Sequence, residues 1–426
     1  MQELLLRRHS VFRGDVTLPG SKSIANRALL LSSLAQGKTI LRGLPDADDV
    51  TVFRQNLPTL GIQATEMGDS LEIVGAGGSF PVQKADIFVE NAGTAMRPLA
   101  AALCAGKGDF VIDGNEQMRR RPIGDLVRGL AELGVDITAA QATVQGKLEM
   151  VPPVTIHAKG IAGGRTRLPG NVSSQFISAV LLAAPLASKP LTLEVPGDPV
   201  SKPYIDMTIS MMKQFGVGVR RERYSLFEIA PQRYISPGEF TIEGDASAAS
   251  YFLSLGALSG PVTVRTIYSD SVQGDVRFAD VLSRMGAAVT RLDDSITVKR
   301  GNLRGIDIDM NDMPDAAMTL AVLALFAEGP THIRNIANLR VKESERIAGL
   351  ASELRKLGAI VEEGHDNLKI VPPARIQSAV IETFQDHRMA MAFSLAAFGA
   401  DVTILDPMCV RKTYPAYFED FKRVLA

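Results

Sequence analysis

The chain has little of what metal, redox and disulfide chemistry needs. Its 426 residues include no tryptophan, two cysteines and five histidines. The two thiols, Cys104 and Cys409, cannot form a disulfide framework or a multi-thiolate metal site, which favours a reducing, cytoplasmic compartment. The histidines lack metal-ligand spacing. A Walker A loop, a Rossmann glycine fingerprint, a His-Glu-x-x-His motif and a nucleophile elbow are also missing, so we expect no metal and no cofactor.

The chain also lacks an excess of charge of either sign. Lys and Arg number 46 and Asp and Glu 47, which gives a net formal charge of −1. This balance argues against a nucleic-acid partner and against attachment to a membrane through a basic face. The apolar stretches 316–327 and 389–400 are too short to span a bilayer, which takes about 20 residues. We expect small-molecule ligands, no nucleic-acid or membrane partner, and a monomer.

What the sequence does contain is an internal repeat. An alanine-rich helix that ends at a small residue, followed by a β-branched strand, recurs six times, and Gly260, Gly329 and Gly399 are spaced 69 and 70 residues apart. A glycine just after the last helical turn suits the left-handed conformation that ends a helix. Between these copies lies a second helix that ends in an apolar residue and glycine, and a hairpin-like strand pair follows it.

The six repeats divide between two predicted lobes. Residues 2–6 and 11–18 are strand candidates without a preceding helix, whereas the sixth repeat lacks its last strands at the C-terminus. We infer that both N-terminal strands complete the sixth repeat. One lobe would then contain 1–19 plus 239–426, with repeats four to six, and the other 20–238, with repeats one to three. Pro-Gly pairs mark both crossings.

Polar side chains concentrate just before the predicted helices. A helix N-terminus has unpaired N–H groups and about half a positive charge, so it binds phosphate and carboxylate. Many such ends pointing into one cleft, together with Lys, Arg, Ser and Gln, would form a site for small ligands with several negative charges. The segments concerned are 20–23 with Arg27, 46–49, 91–98, 119–122, 171–175, 201–204, 313–315, 338–346, 386–388 and 411–412.

Each of these segments also has a simpler interpretation. Ser and Asn before a helix are usually N-caps, and the run 119–121 is typical of a solvated face, from which we expect at most one arginine to contact ligand. His387 alone is also compatible with a core histidine, and Lys342 and Glu343, one turn from Arg346, with surface ion pairs. For the whole chain, the corresponding alternative is a non-catalytic, anion-binding repeat scaffold.

The same segments resemble the 5-enolpyruvylshikimate-3-phosphate synthases, an enolpyruvyl transferase family, over essentially the whole chain. The resemblance implies an α/β fold of two lobes, each of three βαβαββ-type repeats in an inside-out, barrel-like arrangement, with the active site in the cleft between the lobes. The matching segments are LPGSKSIANRALLL (18–31), NAGTAMRP (91–98), RRRPIGDL (119–126), SSQF (173–176), SKPYIDMT (201–208), GDASAASYF (244–252), MPDAAMT (313–319), RVKESER (340–346) and DHRMAM (386–391).

The resemblance also implies a reaction and its residues. The enolpyruvyl group of phosphoenolpyruvate would pass to the 5-hydroxyl of shikimate 3-phosphate through a tetrahedral intermediate, with release of phosphate, on the shikimate pathway to chorismate and the aromatic amino acids. Asp315 would be the base for the attacking hydroxyl, and Glu343 and Lys22 would deliver and remove the methylene proton, with His387 as a further catalytic residue. Shikimate 3-phosphate would be bound by Lys22, Ser23, Arg27, Ser173, Ser174, Gln175, Ser201, Tyr204, Asp315, Asn338 and Lys342. Phosphoenolpyruvate would be bound by Lys22, Gly93, Arg97, Arg121, Gln175, Arg346, Arg388 and Lys412.

One rival has the same implied fold: the enolpyruvyl transferase that acts on UDP-N-acetylglucosamine. That family uses a loop cysteine near the middle of the first lobe, where this sequence has 117–121 and no cysteine. The sequence therefore favours shikimate 3-phosphate as acceptor. Because Gly93 and Pro98 are retained, the resemblance also predicts sensitivity to glyphosate, a herbicide that mimics phosphoenolpyruvate.

Overall fold

The computed structural model describes residues 2–425, which fall into two compact units. One unit is continuous, Gly20–Ile242, and is called the central unit below. The other joins the residues up to Pro19 to those from Glu243 onward and is called the split unit. No helix between residues 2 and 425 has both the length and the apolar character to cross a membrane.

Twelve α-helices lie between residues 2 and 425, two for each repeat. The central unit contains α1 (Lys22–Leu34), α2 (Asp48–Asn56), α3 (Gly93–Leu103), α4 (Gly124–Glu132), α5 (Ser174–Ala183) and α6 (Lys202–Gln214). The split unit contains α7 (Ala246–Leu258), α8 (Phe278–Met285), α9 (Pro314–Leu323), α10 (Arg346–Lys356), α11 (His387–Phe393) and α12 (Tyr417–Arg423).

The strands of the described chain are short, and most have three to seven residues. The split unit begins with β1 (Glu3–Leu6) and β2 (Gly14–Thr17). The central unit contains β3 (Lys38–Arg42), β4 (Gln63–Met67), β5 (Ser70–Val74), β6 (Lys84–Phe88), β7 (Lys107–Asp113), β8 (Asp136–Val144), β9 (Lys147–Lys159), β10 (Gly164–Arg167), β11 (Leu191–Glu194), β12 (Arg220–Glu222), β13 (Leu226–Ile229) and β14 (Glu239–Thr241). The split unit resumes with β15 (Val262–Arg265), β16 (Ala288–Arg291), β17 (Ser295–Lys299), β18 (Asp307–Asp309), β19 (Thr331–Arg334), β20 (Ile360–Glu363), β21 (Leu368–Val371), β22 (Ala379–Ile381) and β23 (Val402–Leu405).

The described strands form six small sheets, one for each repeat. A representative sheet has the order β6-β7-β9-β8. In this sheet β6 and β7 are parallel and are connected through α3, and β9 is antiparallel to both of its neighbours, β7 and β8. The sixth sheet has three strands, in the order β1-β23-β22. The predicted α/β fold of βαβαββ-type repeats, three in each unit, is therefore confirmed.

The strands beside the two chain crossings pair differently from the prediction. β1 does complete the sixth sheet, antiparallel to β23. β2 instead joins the fourth sheet, parallel to β15, with Gly14 opposite Val262. β14 closes the first sheet, parallel to β3, so the second crossing follows Ile242 rather than residue 238. The inference that both N-terminal strands complete the sixth repeat is wrong for β2, because pairing with a distant strand leaves no mark in the local pattern.

The first helix of each repeat is the most deeply buried element. In the central unit α3 packs against α1 and α5, and in the split unit α9 packs against α7 and α11. Every residue of α1 except Ser23 is buried, including Lys22, Asn26 and Arg27. Burying such groups is costly unless they are paired or hydrogen-bonded. Polar side chains at the start of an otherwise apolar helix therefore mark a candidate site.

Glycine ends the second helix in five repeats, as the sequence pattern predicted. Its φ lies between 73° and 112° at these positions, a left-handed conformation that residues with a Cβ rarely adopt. After the first helix of the sixth repeat, by contrast, Gly399 has a φ of −102°, so the left-handed conformation expected there is not adopted. The five positions are Gly61, Gly134, Gly216, Gly286 and Gly358.

Candidate active site

In the central unit, side chains from the first turns of α1 contact three neighbouring helices, α3, α5 and α6. The starts of α1 and α3 are joined by a 2.6 Å hydrogen bond from Asn26 Nδ2 to Thr94 Oγ1. Arg27, in α1, reaches Ser178 Oγ of α5 at 3.4 Å and Thr208 Oγ1 of α6 at 2.8 Å. Because a helix N-terminus carries partial positive charge, the adjoining starts of α1 and α3 make this part of the unit attractive to anions.

Lys22 begins α1 and is only 7% exposed. Its Nζ lies 3.2 Å from Oδ2 of Asp49, a buried residue in the first turn of α2. A buried ammonium beside a carboxylate has a nearby group with which to exchange a proton. Asp49 belongs to the polar segment 46–49 of the sequence analysis but was assigned no catalytic or binding role, because nothing in its local pattern distinguishes it from Asp48 beside it.

Two predicted phosphoenolpyruvate ligands, Arg97 and Arg121, are buried at the start of α3. A Cβ at Gly93 would lie 2.7 Å from Arg97 Nη1 and 2.8 Å from Arg121 Nη2, so glycine is what lets both guanidinium groups approach the helix. Arg121 Nη1 donates to Asn91 Oδ1 at 3.1 Å, and Arg97 Nη2 donates to Pro122 O at 3.4 Å. Two guanidinium groups at a helix N-terminus suit a small anion.

The other two arginines of the 119–121 run face solvent. Arg119 is exposed and pairs with Asp113, and Arg120 is exposed as well. Only Arg121 of the three is buried. The run is therefore one buried guanidinium preceded by two solvated charges.

The predicted serine ligands lie at the starts of α5 and α6. Ser173 is the N-cap of α5, and its Oγ accepts a 3.2 Å hydrogen bond from Gln175 N, while Ser174 beside it is buried. Ser201, just before α6, is 2% exposed and has a φ of 57°. This left-handed conformation is strained for a residue with a Cβ, and such strain is concentrated at functional sites. Ser23, Gln175 and Tyr204 are half-buried.

In the split unit, Asp315 at the start of α9 is shared by two buried arginines. Arg346 Nη1 donates to Asp315 Oδ1 at 2.8 Å, and Arg388 Nη2 donates to Asp315 Oδ2 at 2.9 Å. Burial by itself raises the pKa of the Asp315 carboxyl, but the charges of Arg388, Arg346 and Lys342 outweigh it and hold that pKa below its ordinary value. Asp315 is therefore an ionised carboxylate bound on both oxygens by guanidinium donors.

Asp386 contacts the side chain of Arg346 and the backbone of Arg388. It is fully buried, and as N-cap of α11 its Oδ1 accepts from Arg388 N at 3.0 Å. Its Oδ2 accepts from Arg346 Nε at 2.8 Å and from Ser344 Oγ at 3.0 Å. One carboxylate thus positions the starts of α10 and α11. The sequence included Asp386 in a matching motif without giving it a role.

Three predicted residues come from the segment that leads into α10. Glu343 Oε2 accepts from Arg346 Nη2 at 2.8 Å. Lys342 is half-buried and close enough to lower the pKa of Asp315. Asn338 is buried in a short 3-10 helix, Ala337–Val341, that packs against α10. The ion-pair network of this unit therefore draws on the starts of α9, α10 and α11.

The two remaining predicted residues belong to α11 and its neighbour. His387 begins α11 and is fully buried, with Nδ1 3.5 Å from Asp386 Oδ1. Lys412 ends a 3-10 helix, Pro407–Lys412, that packs against α11, and it is half-buried. Every predicted site residue of the split unit thus lies on α9, α10, α11 or a segment packed against one of them.

The chemistry available in both units is anion binding and proton transfer. Within the part of the chain that the structure describes, no three His, Cys, Asp or Glu side chains are grouped as a metal ion would require. The acids Asp49, Asp315 and Asp386 instead lie beside lysine or arginine. Such groups can bind phosphate and carboxylate and can exchange protons with a ligand.

The chain matches a known protein family over nearly its whole length. The family is described as EPSP synthase (3-phosphoshikimate 1-carboxyvinyltransferase), and the match covers residues 6–421. The 3-phosphoshikimate 1-carboxyvinyltransferase of Marinomonas sp. (strain MWYL1) is 49% identical over 429 residues, which is 100% of both chains. That of Aeromonas salmonicida (strain A449) is 50% identical over 429 residues, 100% of this chain and 99% of the relative.

Two solved structures have a similar fold. The EPSP synthase from Acinetobacter baumannii has a TM-score of 0.81 and 25% identity, over 99% of this chain and 98% of that chain. The enolpyruvyl transferase NikO from Streptomyces tendae has a TM-score of 0.77 and 18% identity, over 99% of this chain and 97% of that chain. At 18% identity the second comparison supports the fold alone.

Proposed function

The chain belongs to the EPSP synthase family and transfers the enolpyruvyl group of phosphoenolpyruvate to shikimate 3-phosphate, and we propose which of its residues bind the two substrates and move the protons. One observation carries the proposal: Arg346 and Arg388 hold both oxygens of Asp315. The predicted base and two predicted phosphoenolpyruvate ligands thus form a single network, which links binding of that substrate to the chemistry.

Both substrates are small anions, and we assign to them side chains from each unit. The buried Arg27 and the serines at the starts of α5 and α6 support binding of an acidic sugar-like ester. Shikimate 3-phosphate is bound by Lys22, Ser23, Arg27, Ser173, Ser174, Gln175, Ser201, Tyr204, Asp315, Asn338 and Lys342. Phosphoenolpyruvate is bound by Lys22, Gly93, Arg97, Arg121, Gln175, Arg346, Arg388 and Lys412.

Asp315 accepts the proton of the 5-hydroxyl, and phosphoenolpyruvate makes it able to do so. While Arg346 and Arg388 pair with it, the carboxylate is a weak base because their charges lower its pKa. The phosphate and carboxylate of phosphoenolpyruvate compete for the same guanidinium donors. Once the two arginines bind the ligand, the pKa of Asp315 rises and its oxygens are free for the hydroxyl.

The methylene carbon of phosphoenolpyruvate gains a proton in the first step and loses one in the second. Protonation of this carbon makes C2 electrophilic, the 5-oxygen bonds to C2, and a tetrahedral intermediate forms. Loss of a methyl proton and cleavage of the bond from C2 to the phosphate oxygen then give the enol ether and phosphate. Glu343 and Lys22 carry these protons, His387 assists, and the arginines stabilise charge on the leaving phosphate.

A phosphate-release assay tests the proposal. The enzyme is incubated with phosphoenolpyruvate and either shikimate 3-phosphate or UDP-N-acetylglucosamine, each with and without EDTA. We expect release only with shikimate 3-phosphate, at a rate that EDTA does not change. Release with the uridine nucleotide would assign the chain to the rival transferase activity, and release with neither would favour a scaffold that binds anions without catalysis.

The protein acts as a monomer in the cytoplasm. Cys104 and Cys409 are both free thiols, which is compatible with a reducing compartment. Each unit also has its own buried core, so its folding does not depend on a second copy. Sedimentation at micromolar concentration tests the monomer, and fractionation of the source cells tests the compartment. A dimer, or recovery outside the cytoplasm, would contradict these proposals.

A further inference from the structure

Arg27 is a buried cation held entirely by neutral groups. Its side chain is in α1, and the residue is 6% exposed. Nε donates to Thr208 Oγ1 at 2.8 Å and Nη1 to Ser23 O at 2.9 Å, while Nη2 lies 3.4 Å from both Ser178 Oγ and Tyr204 O. Among residues 2–425, no carboxylate forms an ion pair with this guanidinium. The hydroxyl and carbonyl groups therefore orient the Arg27 guanidinium but do not neutralise its charge.

Arg346 provides the contrast within the same chain. It is as deeply buried as Arg27, but it contacts three carboxylates, those of Asp315, Glu343 and Asp386. Burial without a counter-ion penalises a charge, and it lowers the pKa of the Arg27 guanidinium to about 10. If Arg27 only stabilised the fold, burying its guanidinium beside a carboxylate would cost less free energy. The neutral surroundings of Arg27 keep its charge available to an anionic ligand.

Thr208 makes the shortest of these contacts. Its Oγ1 accepts from Arg27 Nε and lies 2.8 Å from Tyr204 O and 2.9 Å from Ser178 Oγ. The Thr208 hydroxyl therefore donates its proton to Tyr204 O or Ser178 Oγ, and a lone pair of its oxygen faces Arg27 Nε–H. Because the guanidinium group is planar, fixing Nε–H fixes the direction of the Nη donors as well. Thr208 itself is fully buried, so this alignment does not depend on solvent.

We propose that Thr208 is a positioning residue for the Arg27 guanidinium, and that Thr208 and Ser178 orient this cation toward the acidic ligand without neutralising it. The inference rests on the proposed assignment of Arg27 to shikimate 3-phosphate. Thr208 does not touch that substrate. It acts through Arg27, so its effect is confined to acceptor binding and leaves phosphoenolpyruvate binding and the chemical steps unchanged.

Thr208→Val removes the hydroxyl at almost constant volume, and Thr208→Ser restores it. Loss of a hydrogen bond to a charged group predicts about a tenfold rise in the KM and Kd for shikimate 3-phosphate in Thr208→Val. The KM for phosphoenolpyruvate and kcat should change less than about twofold, and Thr208→Ser should bind like the wild type. Ser178→Ala, whose contact with Arg27 is longer, should have a smaller effect in the same direction.

Thr39→Val is the matched control. Thr39 is another buried threonine of the central unit, and its Oγ1 donates to Ser236 Oγ at 2.8 Å without touching Arg27. Both valine variants lose a buried threonine hydroxyl together with its hydrogen bonds, so both should have a lower Tm. Only Thr208→Val should bind shikimate 3-phosphate more weakly. If Thr208→Val binds it like the wild type and only its Tm falls, the hydroxyl is structural and the inference is wrong.

Binding is measured by calorimetry as well as by turnover, which separates the two possible failures. A wild-type protein that binds shikimate 3-phosphate but releases no phosphate contradicts the proposed function, while the binding series still decides the role of Thr208. A wild-type protein that turns over normally, with no weakening of binding in Thr208→Val, overturns the inference alone. A wild-type protein that does not bind shikimate 3-phosphate overturns both.

Discussion

Arg346 Nη1 lies 2.8 Å from Asp315 Oδ1, so an arginine that we propose to bind phosphoenolpyruvate is paired with the proposed catalytic base. Arg388 Nη2 donates to the second oxygen of the same carboxylate at 2.9 Å. A base held in this way cannot accept a proton until an anion draws the guanidinium groups away. We therefore propose that the pairing keeps Asp315 a weak base until phosphoenolpyruvate is bound.

The first prediction concerns the removal of this carboxylate. Asp315→Asn should abolish turnover, because the amide cannot accept the hydroxyl proton. It should also lower the free energy of unfolding by about 3 kcal/mol, since two buried guanidinium groups lose a shared partner. Urea unfolding and the phosphate-release assay measure the two effects. Asp312→Asn is the control, since Asp312 forms only a partly exposed ion pair with Arg277. Turnover that survives in Asp315→Asn would exclude Asp315 as the base.

The second prediction concerns the pH dependence of stability. The pKa of Asp315 is held below its ordinary value, so the stability that it contributes is present above the unfolded-state pKa of about 4. That contribution is lost as the pH falls through this range towards the lower folded-state pKa. The difference in unfolding free energy between wild type and Asp315→Asn should therefore be constant above about pH 5 and shrink in more acidic solution. A difference that grows on acidification would contradict the ion pairs described here.

The third prediction concerns Lys22 and its partner. Lys22→Met should reduce phosphate release by at least about a hundredfold, since a positioned proton carrier and an anion ligand are both lost. Asp49→Asn, which keeps the shape of the residue 3.2 Å from Lys22 Nζ, should reduce kcat more than it raises either KM. Lys38→Met, at an exposed lysine of β3, is the control and should be fully active. Normal activity in Lys22→Met would exclude it from proton transfer.

The fourth prediction concerns Gly93 and glyphosate. Micromolar glyphosate should inhibit the wild-type enzyme in competition with phosphoenolpyruvate. In Gly93→Ala the new methyl group displaces the Arg97 and Arg121 guanidinium groups, so both the KM for phosphoenolpyruvate and the inhibition constant should rise about tenfold or more. Gly78→Ala is the control, because a Cβ there meets open space. A wild-type enzyme that is indifferent to millimolar glyphosate would contradict the prediction.

Much of the fold could be predicted because it repeats. The helix–strand–helix–hairpin pattern recurs with fixed spacing, and apolar periodicity and terminal glycines are local signals. Which sheet receives β2 and which receives β14 could not be predicted in the same way. Each strand pairs with a partner more than 190 residues away along the chain, and its own residues do not specify that partner.

The site was predicted through resemblance and through the helix starts, but its internal pairing was not. Arg346, Arg388 and Asp315 were expected to bind substrate, and nothing in their sequence spacing indicated that they bind each other. Asp386 was missed as the residue that binds both the Arg346 side chain and the Arg388 backbone, because an aspartate before a helix is most often a simple cap. Such networks depend on three helices meeting, which local sequence does not encode.

The coupling between phosphoenolpyruvate and the base is tested most directly by a crystal structure of the wild-type enzyme with shikimate 3-phosphate and glyphosate. We expect Arg346 and Arg388 to contact the glyphosate anion, and their present contacts of 2.8 and 2.9 Å with Asp315 to lengthen beyond hydrogen-bonding distance. Asp315 should then accept a hydrogen bond from the 5-hydroxyl. If both ion pairs remain at these lengths while both ligands are bound, phosphoenolpyruvate does not activate the base.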